Sequence, residues 1–546
     1  MEGDGVTNTK TSTSGLARHG AVMAAGTLIS RITGFLRNVV IGAALGTMVG
    51  DAYVTAQYFP QMVYELVMGG VLTSVVVPLI VRARKEDFDQ GEAFTQRLLT
   101  LAVVLLAAST ACVVAAAPLL ARLMGSDDNR EVVTSLSYLM LPALFFYGLS
   151  AMLQAVLNTR EHFAAPMWAP ILNNLVIIAM GGAFFVLYSS KISGDLELSD
   201  VTGPMLLLLG LGVPAGVLVQ SLAMWPALRK VGFRWKWRFD FRELHLSKIA
   251  KLAGWIFLYV AVNQIAVVTA IKVANLAAAG SDDNPGPIVY NNAYAVMMMA
   301  HGIVAVSVIT ALMPRLSAAA SEGRYSDMAA GLSSGTRLAT LVMMPVVVVY
   351  IALGSQLSIV MFDWGKYGRD AATATGLVMA LGGLALIPFS LSQLQTFAFY
   401  SLTDGKTVAI LNIPVVAVRV LGFGLSLALL PGIYVVAGIM VTLGISYVVS
   451  TTLSTIFLRR RIGLLGMRAV VLTWVRQLIA GAAALAAAWG ALAFLPGVDE
   501  AGKGVMLAEL LGVGALILVV YLGVAYVLRI REITELTSMV RGKFGR

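Results

Sequence analysis

Charge, cysteine and histidine are all scarce in this 546-residue sequence, and each scarcity closes off a class of function. Only 12% of the residues are charged, about half the share usual in soluble domains, so no large water-facing domain fits in the chain. The single Cys112 cannot form an intrachain disulfide. With His19, His162, His245 and His301 it makes no cluster at metal-ligand spacing, so neither a structural metal nor a cystine framework is expected. There is no Walker sequence, and no Ser/His/Asp or Cys/His arrangement arguable as catalytic. ATP hydrolysis and enzyme chemistry are therefore not expected, and no cofactor is called for. Gly210, Gly212 and Gly216 imitate a nucleotide loop, but they lie in an apolar run with no preceding strand and read as helix packing. No cleavable leader is expected either: the run after Lys10 and Arg18 stays apolar to about Leu45 and reads as a retained first helix.

What the sequence has instead is apolar length. Apolar residues make up 58% of it and the mean hydropathy is +0.83, the signature of an all-α polytopic membrane protein. Fourteen apolar stretches are long enough to span a bilayer, from 20–45 to 504–529, with the second at 52–82. Basic residues crowd alternate loops: Arg82, Arg84, Lys85 and Arg97; Arg229 to Lys251; Arg315 and Arg324; Arg459, Arg460 and Arg461. The intervening loops carry Asp51, Asp127, Asp128, Asp282, Asp283, Asp499 and Glu500. By the positive-inside rule both termini are cytoplasmic, and the net charge of +10 is an orientation signal rather than a nucleic-acid footprint.

Sliding the chain by about 240 positions reveals a repeat. Ala143-Leu144 and Leu149-Ser150 recur as Ala385-Leu386 and Leu391-Ser392; Val77-Pro78-Leu79 recurs near Met313-Pro314-Arg315-Leu316. Six spans per unit preserve direction, so the halves are parallel six-helix lobes related by a pseudo-two-fold. The reading is a disordered tail (1–19), an N-terminal lobe (20–230), a basic-aromatic linker (231–249), a C-terminal lobe (250–461), two added spans (462–530) and a basic tail (531–546).

Polar residues inside spans are the candidates for function. An arginine at mid-membrane costs about 2.5–3.5 kcal/mol on insertion scales. Arg31 falls near mid-bilayer in the first span; Arg37 lies within reach of the far interface, and Gly34 between them permits a bend. At the repeat offset Arg37 falls within a residue or so of Lys272, so the two lobes are expected to place cations at matching depth around an anion site. Asn38, Gln57, Asn263 and Asn291 are further candidate substrate contacts. Glu65 is either an ion-pair partner of Arg31 or Arg37, or a proton or monovalent-cation site. The run Phe233-Arg234-Trp235-Lys236-Trp237-Arg238-Phe239 reads as an interfacial anchor or a strip for anionic lipid headgroups.

Ser30-Arg31, Gly34-Phe35, Arg37, Gly46, Asp51-Ala52, Pro60 and Val77-Pro78 together resemble the MurJ/MviN family of lipid II flippases. Leu157-Asn158 to Pro170, Tyr290 to Ser317, and Phe399-Tyr400 with Asp404 and Lys406-Thr407 are similar to three other segments of that family. The resemblance implies the MOP exporter fold, with two six-helix lobes, two extra C-terminal helices and a cationic central cavity. It also implies export of the undecaprenyl-pyrophosphate-linked sugar-peptide precursor of peptidoglycan across the bacterial inner membrane. Arg31 and Arg37 match two of the family's functional arginines, and Asp51 its loop acid, a possible gate. This chain departs from the pattern at Asn38, often an acid, at Gly69-Gly70, where the family has an acid-glycine pair, and at Tyr64 and Ala295, where arginines are expected. Its rivals are another exporter of the superfamily, for polysaccharide units or for drugs against cations, and a non-transporting scaffold for wall-synthesis proteins.

Overall fold

The computed structural model describes residues 13–68, 76–241, 246–281, 283–498 and 500–533. Gly69-Gly70, Asp282, Asp499, His245 and the tails at 1–12 and 534–546 lie outside the described residues.

The first half runs through α1 (Thr13–Leu45), α2 (Met48–Met68), α3 (Val77–Glu86), α4 (Glu92–Ala115), α5 (Ala117–Met124), α6 (Arg130–Met140), α7 (Ala143–Thr159), α8 (Ala164–Leu187), α9 (Gly203–Ala223) and α10 (Trp225–Lys230). The second continues with α11 (Leu246–Ala278), α12 (Pro287–Ser321), α13 (Tyr325–Phe362), α14 (Gly368–Ser401), α15 (Gly405–Leu429) and α16 (Gly432–Ile462), followed by α17 (Met467–Leu492) and α18 (Lys503–Val527). Helix is the form that lets a backbone in hydrocarbon satisfy its own N–H and C=O groups. Among the described residues eleven helices can cross a membrane by length and composition, or thirteen if α6 with α7, bent by 41°, and the two parts of α12, bent by 40°, each count as one span. These thirteen coincide with spans read from the sequence. The remaining one, at 52–82, is divided between α2 and α3 across residues outside the description. One boundary moves: helix α1 begins at Thr13, inside the tail expected to be disordered to residue 19.

The two halves pack alike. Helix α1 lies on α8, α8 on α9, and α7 on α4 and α9; in the second half α11 lies on α15, α15 on α16, and α14 on α13 and α16. The sequence repeat sits at equivalent joints: Ser150 on α7 accepts from Gln220 on α9 at 2.7 Å, and Ser392 on α14 bonds Ser450 on α16 at 2.8 Å. Gly210, Gly212 and Gly216 press against Leu139, Met180 and Asn173, which makes them packing glycines. Helices α17 and α18 form an apolar layer with α13, fixed by Tyr521 donating to the Leu341 carbonyl at 3.0 Å and by an Arg337–Glu532 ion pair.

The hydrophobic core shows how the lobes meet. At the end carrying Asp51 and Asp127, the acidic end, one continuous core joins Leu45, Ala52 and Phe59 to Ala270, Ala274 and Val289. Toward the basic end it divides into one cluster within the first lobe, around Leu99 and Leu153, and another within the second, around Leu394 and Leu458. Closed packing at one end and separate cores at the other make a cleft that opens toward the basic end.

Candidate functional site

The cleft is closed at the acidic end by polar bonds between lobes. Asp51, near the start of α2, accepts the Ile288 amide at 2.7 Å and lies against Gly286, where a Cβ would strike its carboxylate. Gly286 and Ile288 form the N-terminus of α12, whose unpaired amides and positive dipole end favour an anion. Asp51 thus caps a helix of the opposite lobe. Beside it Asn275 of α11 donates to Thr55 of α2 at 2.9 Å and accepts from Asn129 at 2.7 Å. Lys366 adds a third tie, its amide donating to the Ala43 carbonyl at 2.8 Å and its ammonium to that of Ile192 at 2.6 Å.

Deeper in the cleft stands Arg31, half-buried, about 14 residues or roughly 21 Å of helix from the acidic end of α1. Its guanidinium lies against Gly302 of α12, and no carboxylate or hydrogen-bond acceptor meets it among the described residues. The preceding residue on α12, His301, is buried and bonds through Nδ1 to Ser390 Oγ at 3.0 Å. Ser390 spends its own proton on the Leu386 carbonyl at 2.8 Å, so its oxygen accepts from Nδ1–H. Nε2 has no hydrogen bond among the described residues, and His301 lines a cavity of about 580 Å³ with Ile309, Met313, Pro314 and Phe397.

Arg37 is held within its own lobe. Its guanidinium reaches Asn174 of α8 at 3.5 Å and Asn38 at 3.4 Å, while Asn174 donates to the Ser30 carbonyl and to Thr33. Asn174 packs beside Gly34, where a Cβ would meet it at an ordinary contact distance. Lys272 is engaged elsewhere: it donates to the carbonyls of Arg122, at 3.3 Å, and Gly125, at 2.5 Å, where the last turn of α5 leaves C=O groups unpaired. Arg37 and Lys272 therefore share no partner, and the anion site expected between them is not assembled by these contacts. Glu65 pairs with neither arginine; Gln264 of α11 donates to it at 2.9 Å. Asn291 accepts weakly from Tyr58 at 3.5 Å, and Gln57, half-buried, has no hydrogen bond among the described residues.

Asn263 leads to a cation that the sequence reading passed over. Its Oδ1 accepts from Arg419 of α15 at 3.1 Å; Arg419 also donates to Ser446 of α16 at 2.9 Å and stacks 4.9 Å from the Tyr447 ring centre. Tyr447 contacts Phe389, and Phe389 contacts His301, with ring centres 4.7 and 4.4 Å apart. A line of rings thus connects the Arg419 cluster to His301, the neighbour of the Gly302 on which Arg31 rests. The signal was available: Arg419 lies inside an apolar span, where the insertion penalty that singled out Arg31 applies equally.

Residues 41–501 match the family model described as "Lipid II flippase MurJ". The chain belongs to the MurJ family. A probable lipid II flippase MurJ of Rhizobium meliloti is 26% identical over 427 residues, covering 77% of this chain and 76% of that protein. The lipid II flippase MurJ of Burkholderia cenocepacia is 24% identical over 448 residues, covering 80% and 82%. Among solved structures, a lipid II flippase MurJ in an inward closed conformation superposes with a TM-score of 0.71 at 18% identity, over 96% of this chain and 100% of that one. An inward-facing multidrug MATE transporter of the MOP superfamily gives 0.64 at 16% identity, over 80% and 95%. The fold is that of the MOP superfamily.

Proposed function

We propose that this MurJ-family protein exports lipid II, the peptidoglycan precursor, from the cytoplasmic to the outer leaflet by alternating access. The observation that carries the reading is Arg31: a half-buried guanidinium that rests on Gly302 of the opposite lobe, without an acid partner among the described residues. A pyrophosphate supplies the charge and the acceptors that Arg31 lacks. Arg37 gives a second contact once Asn38 or Asn174 yields, and the sugar-peptide meets the amides of Gln57, Asn263 and Asn291. The basic end faces the cytoplasm, in keeping with the positive-inside rule. An apolar groove of about 670 Å³ between α13, α14, α16 and α17, lined by Ile387, Leu391, Val448 and Leu478, suits the polyprenyl tail.

Closure at the acidic end with a cleft at the basic end corresponds to a cytoplasm-facing state. Export then requires the Asp51–Ile288 and Asn275–Thr55 bonds to part; the same movement releases Lys272 from the α5 carbonyls, so that it can meet the departing pyrophosphate. An anion leaving a negative cytoplasm gains about 2.3 kcal/mol per charge per 100 mV, so the membrane potential biases the cycle outward. Coupling to a cation at Glu65 is the alternative driver. Drug-for-cation exchange calls for carboxylates facing the cleft, whereas Glu65 is engaged by Gln264 and the cleft's free charge is basic. The deciding experiment is leaflet-resolved lipid II in cells depleted of their own flippase: this chain should restore outer-leaflet lipid II, and Arg31→Ala at equal abundance should not. Full rescue by Arg31→Ala would refute the arginine mechanism, and failure of the unsubstituted chain to restore outer-leaflet lipid II would leave a scaffold role for wall-synthesis partners.

A further inference from the structure

The linker between the lobes carries its own site. Residues 233–240 are non-helical, and Phe233, Trp235, Trp237, Phe239 and Phe241 fall on alternate positions, with ring centres from Trp235 onward 5.1 to 6.3 Å apart in succession. The strip is tacked to α4: Gln96 donates to the Arg234 carbonyl at 2.7 Å, the Arg238 amide to Thr100 at 3.1 Å, and Arg97 pairs with Asp240 at 2.6 Å. The Arg97 hydrogen bond holds the Asp240 carboxyl below the usual carboxylate range. Trp237 and Phe239 stay 60% and 65% exposed, as aromatic residues do where they meet the bilayer interface.

Under this strip, between α7, α10 and the linker, lies a cavity of about 590 Å³ lined by Trp225, Arg229, Phe233, Arg234, Trp235 and Leu153 among others. Two cations line it without partners. The exposed Arg229 and Arg234 guanidiniums make no hydrogen bond or ion pair among the described residues. Arg160, close by, is spent on the Val231 carbonyl and the Phe233 ring. Two free cations beside the apolar surfaces of Leu153, Trp225 and Leu228 describe a receptor for a group that brings several anionic oxygens and carries hydrocarbon.

We infer that this cavity binds the phosphate of an acidic phospholipid, with Arg229 and Arg234 flanking the phosphate and the glycerol against Trp225 and Leu153. The exposed rings beside it, placed at the interface, favour a lipid-borne phosphate over a dissolved one. Occupancy ties the linker to the first lobe.

The test is native mass spectrometry of the full chain released from nanodiscs of phosphatidylglycerol or phosphatidylcholine, with inorganic phosphate as competitor. The wild type should retain phosphatidylglycerol selectively. With about a fivefold affinity change per basic residue near a lipid surface, Arg229→Gln with Arg234→Gln should reduce retention roughly 25-fold. Arg234→Gln alone should weaken retention about fivefold and serves as the second variant if the double substitution does not fold. Equal retention of both lipids, or retention unchanged in the variants, overturns the proposal. Displacement of the lipid by inorganic phosphate assigns the cavity to a dissolved anion and overturns the lipid source.

Discussion

The guanidinium of Arg31 rests on the bare Cα of Gly302 in the opposite lobe, one residue beyond the imidazole of His301. Any Cβ at position 302 occupies space that the guanidinium now fills. Gly302→Ala should therefore push Arg31 out of register and remove a charge-assisted contact worth about 1.5–3 kcal/mol, or roughly ten- to a hundredfold in headgroup affinity. Binding of lipid II to purified protein measures it; wild-type affinity in Gly302→Ala would show that the present place of Arg31 is immaterial.

Asp51 caps α12 across the lobes, and a cap of this kind is worth about 0.5–2 kcal/mol. Asp51→Ala should shift the population away from the closed acidic end by a factor between roughly 2 and 30. Spin labels at Ser190 and Leu430, both exposed near that end, in a chain carrying Cys112→Ser, should report a longer or broader distance distribution. An identical distribution would remove Asp51 from the gate.

Arg419 ties α15 to α11 and α16 through a planar fork that lysine does not reproduce. Arg419→Ala abandons two hydrogen bonds to a charged group, about 1.5–3 kcal/mol each, and a stacked ring. A lowered unfolding temperature in detergent is expected for Arg419→Ala, with Arg419→Lys intermediate. A melting curve unchanged in both would mean that the cluster does not brace the lobe.

Glu65 accepts from the amide of Gln264, and a hydrogen bond to a charged group contributes about 1.5–3 kcal/mol. Glu65→Gln keeps an acceptor for that amide at the neutral value of about 0.5–1.5 kcal/mol, so the loss of roughly 1–1.5 kcal/mol should leave lipid II export within roughly tenfold of wild type. Loss of export together with loss of any cation dependence would instead make Glu65 the coupling site.

The spans and the duplicated lobes could be read from the sequence, because hydrocarbon imposes apolar length on every helix; the penalty on each buried charge is what made Arg31 a candidate. Ser150 and Ser392 show how literal the repeat is, since both end on the same joint of their lobes. What the sequence does not carry is the rotation and register of one helix against another. Lys272 and Arg37 have similar positions along α11 and α1, yet Lys272 turns toward the end of α5 and Arg37 toward α8. Glu65 lay near two arginines in the reading and next to Gln264 in space, for the same reason. Arg419 was legible by the insertion penalty alone; its partners, 27 and 156 residues away, were not.

Helix α1 belongs to the first lobe through Arg37 and Asn174, but six residues earlier its Arg31 touches the second. When the lobes pivot, the first of these contacts travels with its own scaffold while the other must slide over α12. One helix therefore carries both a fixed mark and a moving one, and the span between them is a built-in gauge of how far the transporter has turned.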